Sequence, residues 1–329
     1  MPKVTVCIPT YNRSHFLTYS VQSVLDQTYS DFELIICDDG SPDNTPDVVK
    51  GFNDTRIKYI RHPQNIGRSR NMRSGFEASQ GEYFIKFDDD DGLTRQFLEK
   101  TVDVLDNNQN VDFVCTNHWI INQDNQRMES ATQENSKRWG KDKIPLGIIQ
   151  DLTWQTFYYQ SLQVGSTLFR QSCLKDIHYM RPEADGCEDF DLLVRLAIAE
   201  KRGYFLPEFL MEYRFHGGQT SLKQNLHFLK SKLFCISDYQ FKEPELEEKR
   251  LIKLAQTQQD LGLRLIEQGN TQEGRKLLQE SNQVLGSSRR SNLGILLSYF
   301  PSNLRQLFLQ GFRQLRPKDY TEKVRSQTS

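Results

Sequence analysis

Short apolar runs and amphipathic stretches alternate along roughly the first 120 residues. "KVTVCIP" (3–9), "FELIICDD" (32–39), "RIKYIRH" (56–62), "EYFIKF" (82–87) and "VDFVCTNHWII" (111–121) are rich in β-branched and aromatic residues and read as strands. Between the first two, Leu17, Val21, Val24 and Leu25 keep helical spacing, with Ser14 as the candidate N-cap. Further helices are predicted around 45–52, over 67–81 (opened at Gly67 and closed at Gly81) and over 95–107. This alternation predicts an α/β fold with a parallel or mostly parallel sheet and right-handed crossovers. Such sheets bind ligands outside the carboxyl ends of their strands.

Beyond residue 121 the pattern loosens. Residues 122–145 are polar and lack a period, which predicts a long loop or lid. "QVGSTLFRQSCL" (163–174) reads as a strand entering a short helix. "CEDFDLLVRLAIAEK" (187–201) is an amphipathic helix with acids in its first turn, where the helix dipole favours them. "YFLPEFLMEYRFHGGQTS" (204–221) reads as a strand pair ending in a Gly-Gly turn. From about 225 onward the chain is mostly helical, and 251–286 reads as one helical hairpin turning at "QGN". A single pair is not a repeat array.

Composition adds little and excludes some classes. The 329 residues are 37% hydrophobic and 26% charged, with a net charge of -1, so nothing overall argues for a nucleic-acid partner. Residues 286–329 hold eight Lys/Arg against two acids, +6 in all, which leaves -7 for the rest. The six cysteines include no CxxC pair, and Cys7, Cys37 and Cys115 sit in strand-like runs, so buried thiols in a reducing cytoplasm are expected. The chain enters its first strand at once, with no signal-peptide pattern, and "LGILLSYF" (293–300) stops at Pro301, too short to span a membrane.

The candidate chemistry lies in "IKFDDDDGL" (85–93), four aspartates directly behind an apolar run. Neighbouring carboxylates repel and lose hydration near a core. Either the run is a solvated turn or a cation belongs there. Gly92 breaks both the phosphatase DxDx[TV] pattern and the EF-hand spacing. Asp38 and Asp39 also end a strand and fall on the same predicted sheet edge.

Four stretches in order resemble family 2 glycosyltransferases of the GT-A fold. "VCIPTYNRSHFLTYSVQSVLDQTYSDFELIICDDGSPDNT" is similar to the family's opening, and "NIGRSRNMRSGFEASQGEYFIKFDDDD" to the approach to its DXD motif. "CEDFDLLVRLA" resembles the Glu-Asp base motif and "YRFHGG" the motif downstream of it. The resemblance covers about residues 3–221. It implies a GT-A catalytic domain over 1–225, with a nucleotide-binding half to about 118 and an acceptor half from 119, followed by a helical extension over 226–329. It also implies an inverting, metal-dependent transfer of sugar from a nucleotide donor, most often UDP-linked, to an acceptor hydroxyl in polysaccharide, glycan or glycolipid synthesis.

The resemblance gives residues their roles. Asp88 and Asp90 are the acids of DXD, with Asp90 a direct ligand of Mn²⁺ or Mg²⁺, and Asp89 contacts the ribose. Asp91 simply stabilises the following helix. Asp39, with Asp38, accepts the N3–H of uracil. Pro9, Tyr11 and Arg13 follow the first strand and line the same pocket, and Tyr11 either covers the base or packs on the sheet edge. Arg70 meets the diphosphate, since Arg68 and Arg70 point apart on a helix. Asp189 is the base, Glu188 binds acceptor and Asp191 is a solvated helix acid. His216 is a further metal or diphosphate contact, and Arg214 pairs with acids or phosphate. Trp119, Trp139, Trp154, Tyr158 and Tyr159 either stack on acceptor sugars or belong to the core. "LLSYFPSNLRQLFLQGFRQLR" (296–316) either packs on the catalytic domain or lies on an anionic membrane near a carbohydrate or lipid-linked acceptor, which places the protein in the cytoplasm or at the inner membrane face.

Rival classes have marks of their own. A pyrophosphorylase would open with a Gly-rich loop, a dinucleotide oxidoreductase with GxGxxG after a strand, and neither is present. A silent sugar-nucleotide-binding module would show damage to DXD or Glu-Asp; both are intact.

Overall fold

The computed structural model describes residues 1–216 and 225–314. The chain divides between Gly217 and Gly218 into two compact units. The first holds strands β1 (Val4–Thr10), β2 (Phe32–Asp38), β3 (Ile57–Arg61), β4 (Tyr83–Lys86), β5 (Gly92–Leu93), β6 (Phe113–Ile121), β7 (Gly147–Ile148), β8 (Thr167–Arg170) and β9 (Gly203–Arg214). Its helices are α1 (Ser14–Leu25), α2 (Thr45–Lys50), α3 (Arg68–Glu77), α4 (Phe97–Asn107), α5 (Glu129–Arg138), α6 (Gln171–Asp176) and α7 (Glu188–Ile198).

The strands form one sheet in the order β3-β2-β1-β4-β8-β6-β9-β5, with β7 on β9. The β3-β2-β1-β4 side is parallel throughout, as the strand–helix alternation requires. Beyond β4 the sheet is mixed, with β8 antiparallel to both neighbours and β6 parallel to β9. Thr10 pairs with Asp38 and Cys7 with Lys86, so the chain leaves β1, β2 and β4 at one edge.

Strand periodicity sorts the core. Val4, Val6 and Ile8 face α1 and α4 with Leu34, Ile36 and Ile85. Cys7, Ile35, Cys37 and Phe84 face the other way, against Met72 of α3 and Leu192 and Leu196 of α7. Helix α3 lies close on the sheet: a Cβ on Gly75 would sit 2.4 Å from Cys7 Sγ. All six cysteines are buried.

Several local expectations are corrected. Arg13, not Ser14, is the N-cap of α1; the Ser14 N–H finds a remote acceptor in Asp43 Oδ2 at 3.0 Å. Helix α3 ends at Glu77 rather than at Gly81. The stretch read as a loop contains α5, whose buried residues are Ala131, Thr132, Asn135 and Ser136. A face made of small and polar residues leaves no apolar stripe to read. The predicted strand pair is the single strand β9, which bulges where Leu206 and Phe209 oppose Thr116 and Asn117. Pro207 stands in that bulge, where its missing N–H costs no ladder bond. The Gly217-Gly218 turn lies outside the described residues.

A buried polar knot joins β6 to α5. Lys141, 4% exposed, donates to Nδ1 of His118 at 2.9 Å, and His118 Nε2 lies 3.2 Å from Asn135 Oδ1. Burial pulls the Lys141 amine down to about 7 and His118 well below its usual range. The unfolded chain therefore binds more protons than the native state between pH 7 and 10.5. The cost of burying Lys141 is complete below pH 7 and fades as pH rises toward 10.5. A shift of this size is worth at most roughly 5 kcal/mol. Lys141→Met is expected to raise the urea midpoint, and to raise it more at pH 7 than at pH 10. An equal gain at both would show that the amine carries no such penalty.

The second unit contains α8 (Asn225–Asp238), α9 (Pro244–Gln268), α10 (Thr271–Leu285), α11 (Arg289–Leu297) and α12 (Ser302–Gln314). Helices α9 and α10 make the predicted hairpin, turning through Gly269 and Asn270. Leu296, Tyr299, Phe300, Leu304, Leu307 and Phe308 of α11, α12 and their junction are exposed. Among the described residues no helix is long and apolar enough to cross a membrane.

Candidate active site

The chain leaving β1, β2 and β4 supplies most of the polar groups at the sheet edge. Asp38 is fully buried and committed to the fold: Oδ1 accepts from the Ser41 N–H at 2.8 Å and Oδ2 from the Tyr59 hydroxyl at 2.5 Å. Asp39 accepts from the Ile66 and Gly67 N–H groups at 2.7 and 3.2 Å, which ties the entry of α3 to the end of β2. Gly40 turns between them with φ +74°, and a Cβ there would meet the Gln64 backbone at 2.8 Å. Pro9 is buried within β1, whereas Tyr11 is exposed.

The four aspartates have four environments. Asp88, 33% exposed at its side chain, accepts from Lys86 Nζ at 2.8 Å. Asp89 lies 3.5 Å from Arg13 Nη1. Asp90 Oδ2 pairs with Arg13 and lies 3.0 Å from His216 Nε2. Asp91 is fully buried; its Oδ1 accepts from the Arg214 N–H at 2.9 Å and its carbonyl from Ser20 at 2.7 Å. Asp91 therefore ties β9 and α1 together and does not cap a helix. Arg214, also fully buried, donates to the Asp90 carbonyl at 2.6 Å and to that of Asn122 at 2.7 Å, so it shapes the backbone of the run.

The first turn of α7 meets this edge. Lys86 Nζ lies 3.2 and 3.3 Å from the two oxygens of Asp189. Glu188 is buried and accepts from Arg68 Nη1 at 3.2 Å. Thus Arg68, not Arg70, reaches these carboxylates. Arg70 is exposed and reaches back to the Ile66 carbonyl, at 3.4 Å. Asp191 is not a solvated acid: it is fully buried between Arg181 and Arg195, at 3.0 and 2.7 Å from their Nε atoms. Trp119 packs against Phe209 and Arg127, while Trp154 clusters with the exposed Tyr158 and Tyr159.

Residues 5–167 match the model of glycosyl transferase family 2. This is a family 2 glycosyltransferase. Over 119 residues the chain is 34% identical to an Escherichia coli protein, "UDP-Glc:alpha-D-GlcNAc-diphosphoundecaprenol beta-1,3-glucosyltransferase WfgD", spanning 36% of this chain and 47% of that one. Its fold is similar to that of S. aureus TarS 1–349 in complex with UDP-GlcNAc, with a TM-score of 0.62 at 15% identity over 96% of this chain and 93% of that one. A mannosyltransferase from Pyrobaculum calidifontis in complex with GDP-Man and Mn²⁺ is similar at a TM-score of 0.56 and 16% identity, over 99% of this chain and 87% of that one. These structural likenesses establish the GT-A fold with a helical C-terminal region.

In the glycosyltransferase two of the four aspartates are held above the ordinary carboxylate range. Burial, reinforced by Asp90, pushes Asp89 up to about 7 against the pull of Arg13. Burial also drives Asp91 well up, and among the described residues its Oδ2 has no hydrogen-bond partner. Among the described residues no three His, Cys, Asp or Glu side chains are gathered to hold an ion by themselves. The pair Asp90 and His216, with Asp88 nearby in the run, nonetheless fits a divalent cation of the Mg²⁺ or Mn²⁺ kind. Such ions take one or two protein ligands and complete their shell from substrate phosphates and water. Partial burial pushes Asp189 up to about 6, with Lys86 pulling the other way.

Asp191 gives a structural test. Removing it strands two arginines, and breaking a buried pair costs about 3 kcal/mol or more. Asp191→Ala is expected to lower unfolding free energy by about that amount in urea titration. A change below about 0.5 kcal/mol, the range of neutral surface substitutions, would mean the arginines find other partners.

Proposed function

We propose that this glycosyltransferase moves a sugar from a UDP-linked donor to an acceptor hydroxyl, with inversion and with a divalent cation on the diphosphate. The observation that carries the reading is that Asp88, behind β4, and Asp189, on α7, share the Lys86 ammonium. That contact brings the donor-side acids and the intended base to one place, although about 100 residues separate them in sequence.

Each side chain then has a task. Asp39 accepts the uracil N3–H, with Tyr11 over the ring and Pro9 and Asp38 shaping the pocket. Asp89 meets the ribose. Asp90 and His216, with Asp88, would hold Mn²⁺ or Mg²⁺, which when bound supplies Lewis-acid neutralisation of the departing diphosphate. Arg13 and Arg68 lie nearest for the phosphate oxygens, with Arg70 at the rim. Asp189 takes the proton of the acceptor hydroxyl as that oxygen attacks the anomeric carbon opposite the UDP, and Glu188 holds the acceptor. The UDP donor is favoured by the relative that uses UDP-Glc and by the TarS complex with UDP-GlcNAc. A lipid-linked acceptor is favoured by that relative's diphosphoundecaprenol substrate. The nucleotide half would end near 118 and the acceptor half near 225.

A thermal-shift series tests the donor. With Mn²⁺ present, UDP-glucose or UDP-GlcNAc is expected to raise the melting temperature more than GDP-mannose does, because a ligand bound only to the native state stabilises it. Stabilisation by GDP-mannose alone would overturn the UDP assignment.

We also propose that α11 and α12 seat the protein on an anionic membrane. Six exposed apolar side chains lie within a segment whose sequence is strongly basic. Leu307→Ser with Phe308→Ser is expected to reduce co-sedimentation with phosphatidylglycerol vesicles while UDP binding persists. Unchanged co-sedimentation would remove this surface from the account.

A further inference from the structure

No motif assigns Lys86 a role, yet it is a nearly fully enclosed cation of the site. It ends β4, pairs in register with Cys7, and lies on the sheet face of Phe84, the face that α7 covers. Its side chain is 3% exposed. An ammonium offers three donors and no acceptor. Here they are spent on two carboxylates: Asp88 at 2.8 and 3.1 Å, and Asp189 at 3.2 and 3.3 Å. That enclosure leaves Lys86 no surface for substrate. Asp189, by contrast, is 41% exposed and open to a reacting group.

The hydrogen bonds of the Asp189 carboxylate within the described structure both come from Lys86. An aspartate at the first turn of a helix has more than one staggered rotamer. A cation fixed within a strand and gripping both carboxylate oxygens selects one of them. The same cation grips Asp88, so the orientation of Asp189 is tied to the acids that face the donor.

We propose that Lys86 is a positioning residue: it holds the Asp189 carboxylate in its reactive orientation and couples that orientation to Asp88. This rests on Asp189 being the base. Because Lys86 acts through Asp189, its removal should slow the reaction without weakening the donor complex, and should do nothing further once Asp189 has lost its function.

The test is a double-mutant cycle on the full chain, following UDP release from UDP-glucose and UDP-GlcNAc with Mn²⁺, and UDP affinity by calorimetry. Misplacing a reacting group by about 1 Å costs about 10²-fold in rate. Lys86→Met is expected to lose about that much in kcat while UDP affinity stays within about threefold. Lys86→Met combined with Asp189→Asn is expected to be no slower than Asp189→Asn alone, since residues acting as a unit are not additive. Lys86→Gln, which keeps an N–H donor, replaces Lys86→Met if that variant does not fold. Multiplicative losses in the double variant would overturn the proposal, as would a normal kcat in the Lys86 variants. Loss of UDP affinity would assign Lys86 to the donor site instead. Near-normal turnover of Asp189→Asn itself would fail the base assignment, a result separable from the others because it needs no Lys86 variant.

Discussion

Asp189→Asn is expected to lower sugar transfer by about 10²–10⁴-fold, the usual worth of a general base, and to leave UDP affinity within about threefold. Asparagine keeps the shape of the side chain, so the first turn of α7 and its neighbour Glu188 stay in place. What is lost is the oxygen that takes a proton. Partial burial holds the Asp189 carboxyl at about 6, close to neutral pH, where a base is both ionised and basic enough to act. Donor binding is expected to survive because, among the described residues, Asp189 meets the run through the Lys86 ammonium it shares with Asp88, and Asp90 pairs instead with Arg13 and His216. Initial rates with a verified acceptor, beside a UDP titration, separate the two effects. Near-normal turnover would move the role to Glu188, the neighbouring carboxylate.

Asp90→Asn is expected to show the reverse balance. Its UDP affinity in the presence of Mn²⁺ is expected to fall by about 10²-fold, the upper end of what weakened metal sites lose. Turnover at saturating donor is damaged less. Asp90 stands where Arg13 and His216 converge, so replacing its charge removes a cation ligand and frees the arginine together. An unchanged affinity would mean that the diphosphate is held by Arg13 and Arg68 without a metal.

The parallel half of the sheet is readable in the sequence because strand and helix periods alternate there without interruption. The clustering of Asp38, Asp39 and residues 88–91 at one edge follows from that alternation alone. Helix α5 is hidden because its buried face consists of Ala131, Thr132, Asn135 and Ser136, which carry no apolar signal. The unity of β9 is hidden because Pro207 breaks the strand pattern where the structure makes only a bulge. Asp191 looks like any acid in a first helical turn; its burial depends on Arg181 and Arg195, and Arg181 belongs to the preceding loop. Arg68 and Arg70 differ only by the rotation of α3 against α7, which no spacing within one helix fixes. Lys86 did leave a trace. A lysine inside "EYFIKF", with Phe84 and Asp88 at alternate positions beside it, has to point at the same face as both. A buried cation there needs carboxylates.

The central claim is that the aspartate run binds a nucleotide diphosphate through a divalent cation. Calorimetric titration of UDP into the 329-residue chain, once with Mn²⁺ and once with EDTA, tests it most directly. Strong binding with Mn²⁺ and weak or no binding with EDTA is the predicted result. Equal affinity in both would contradict it.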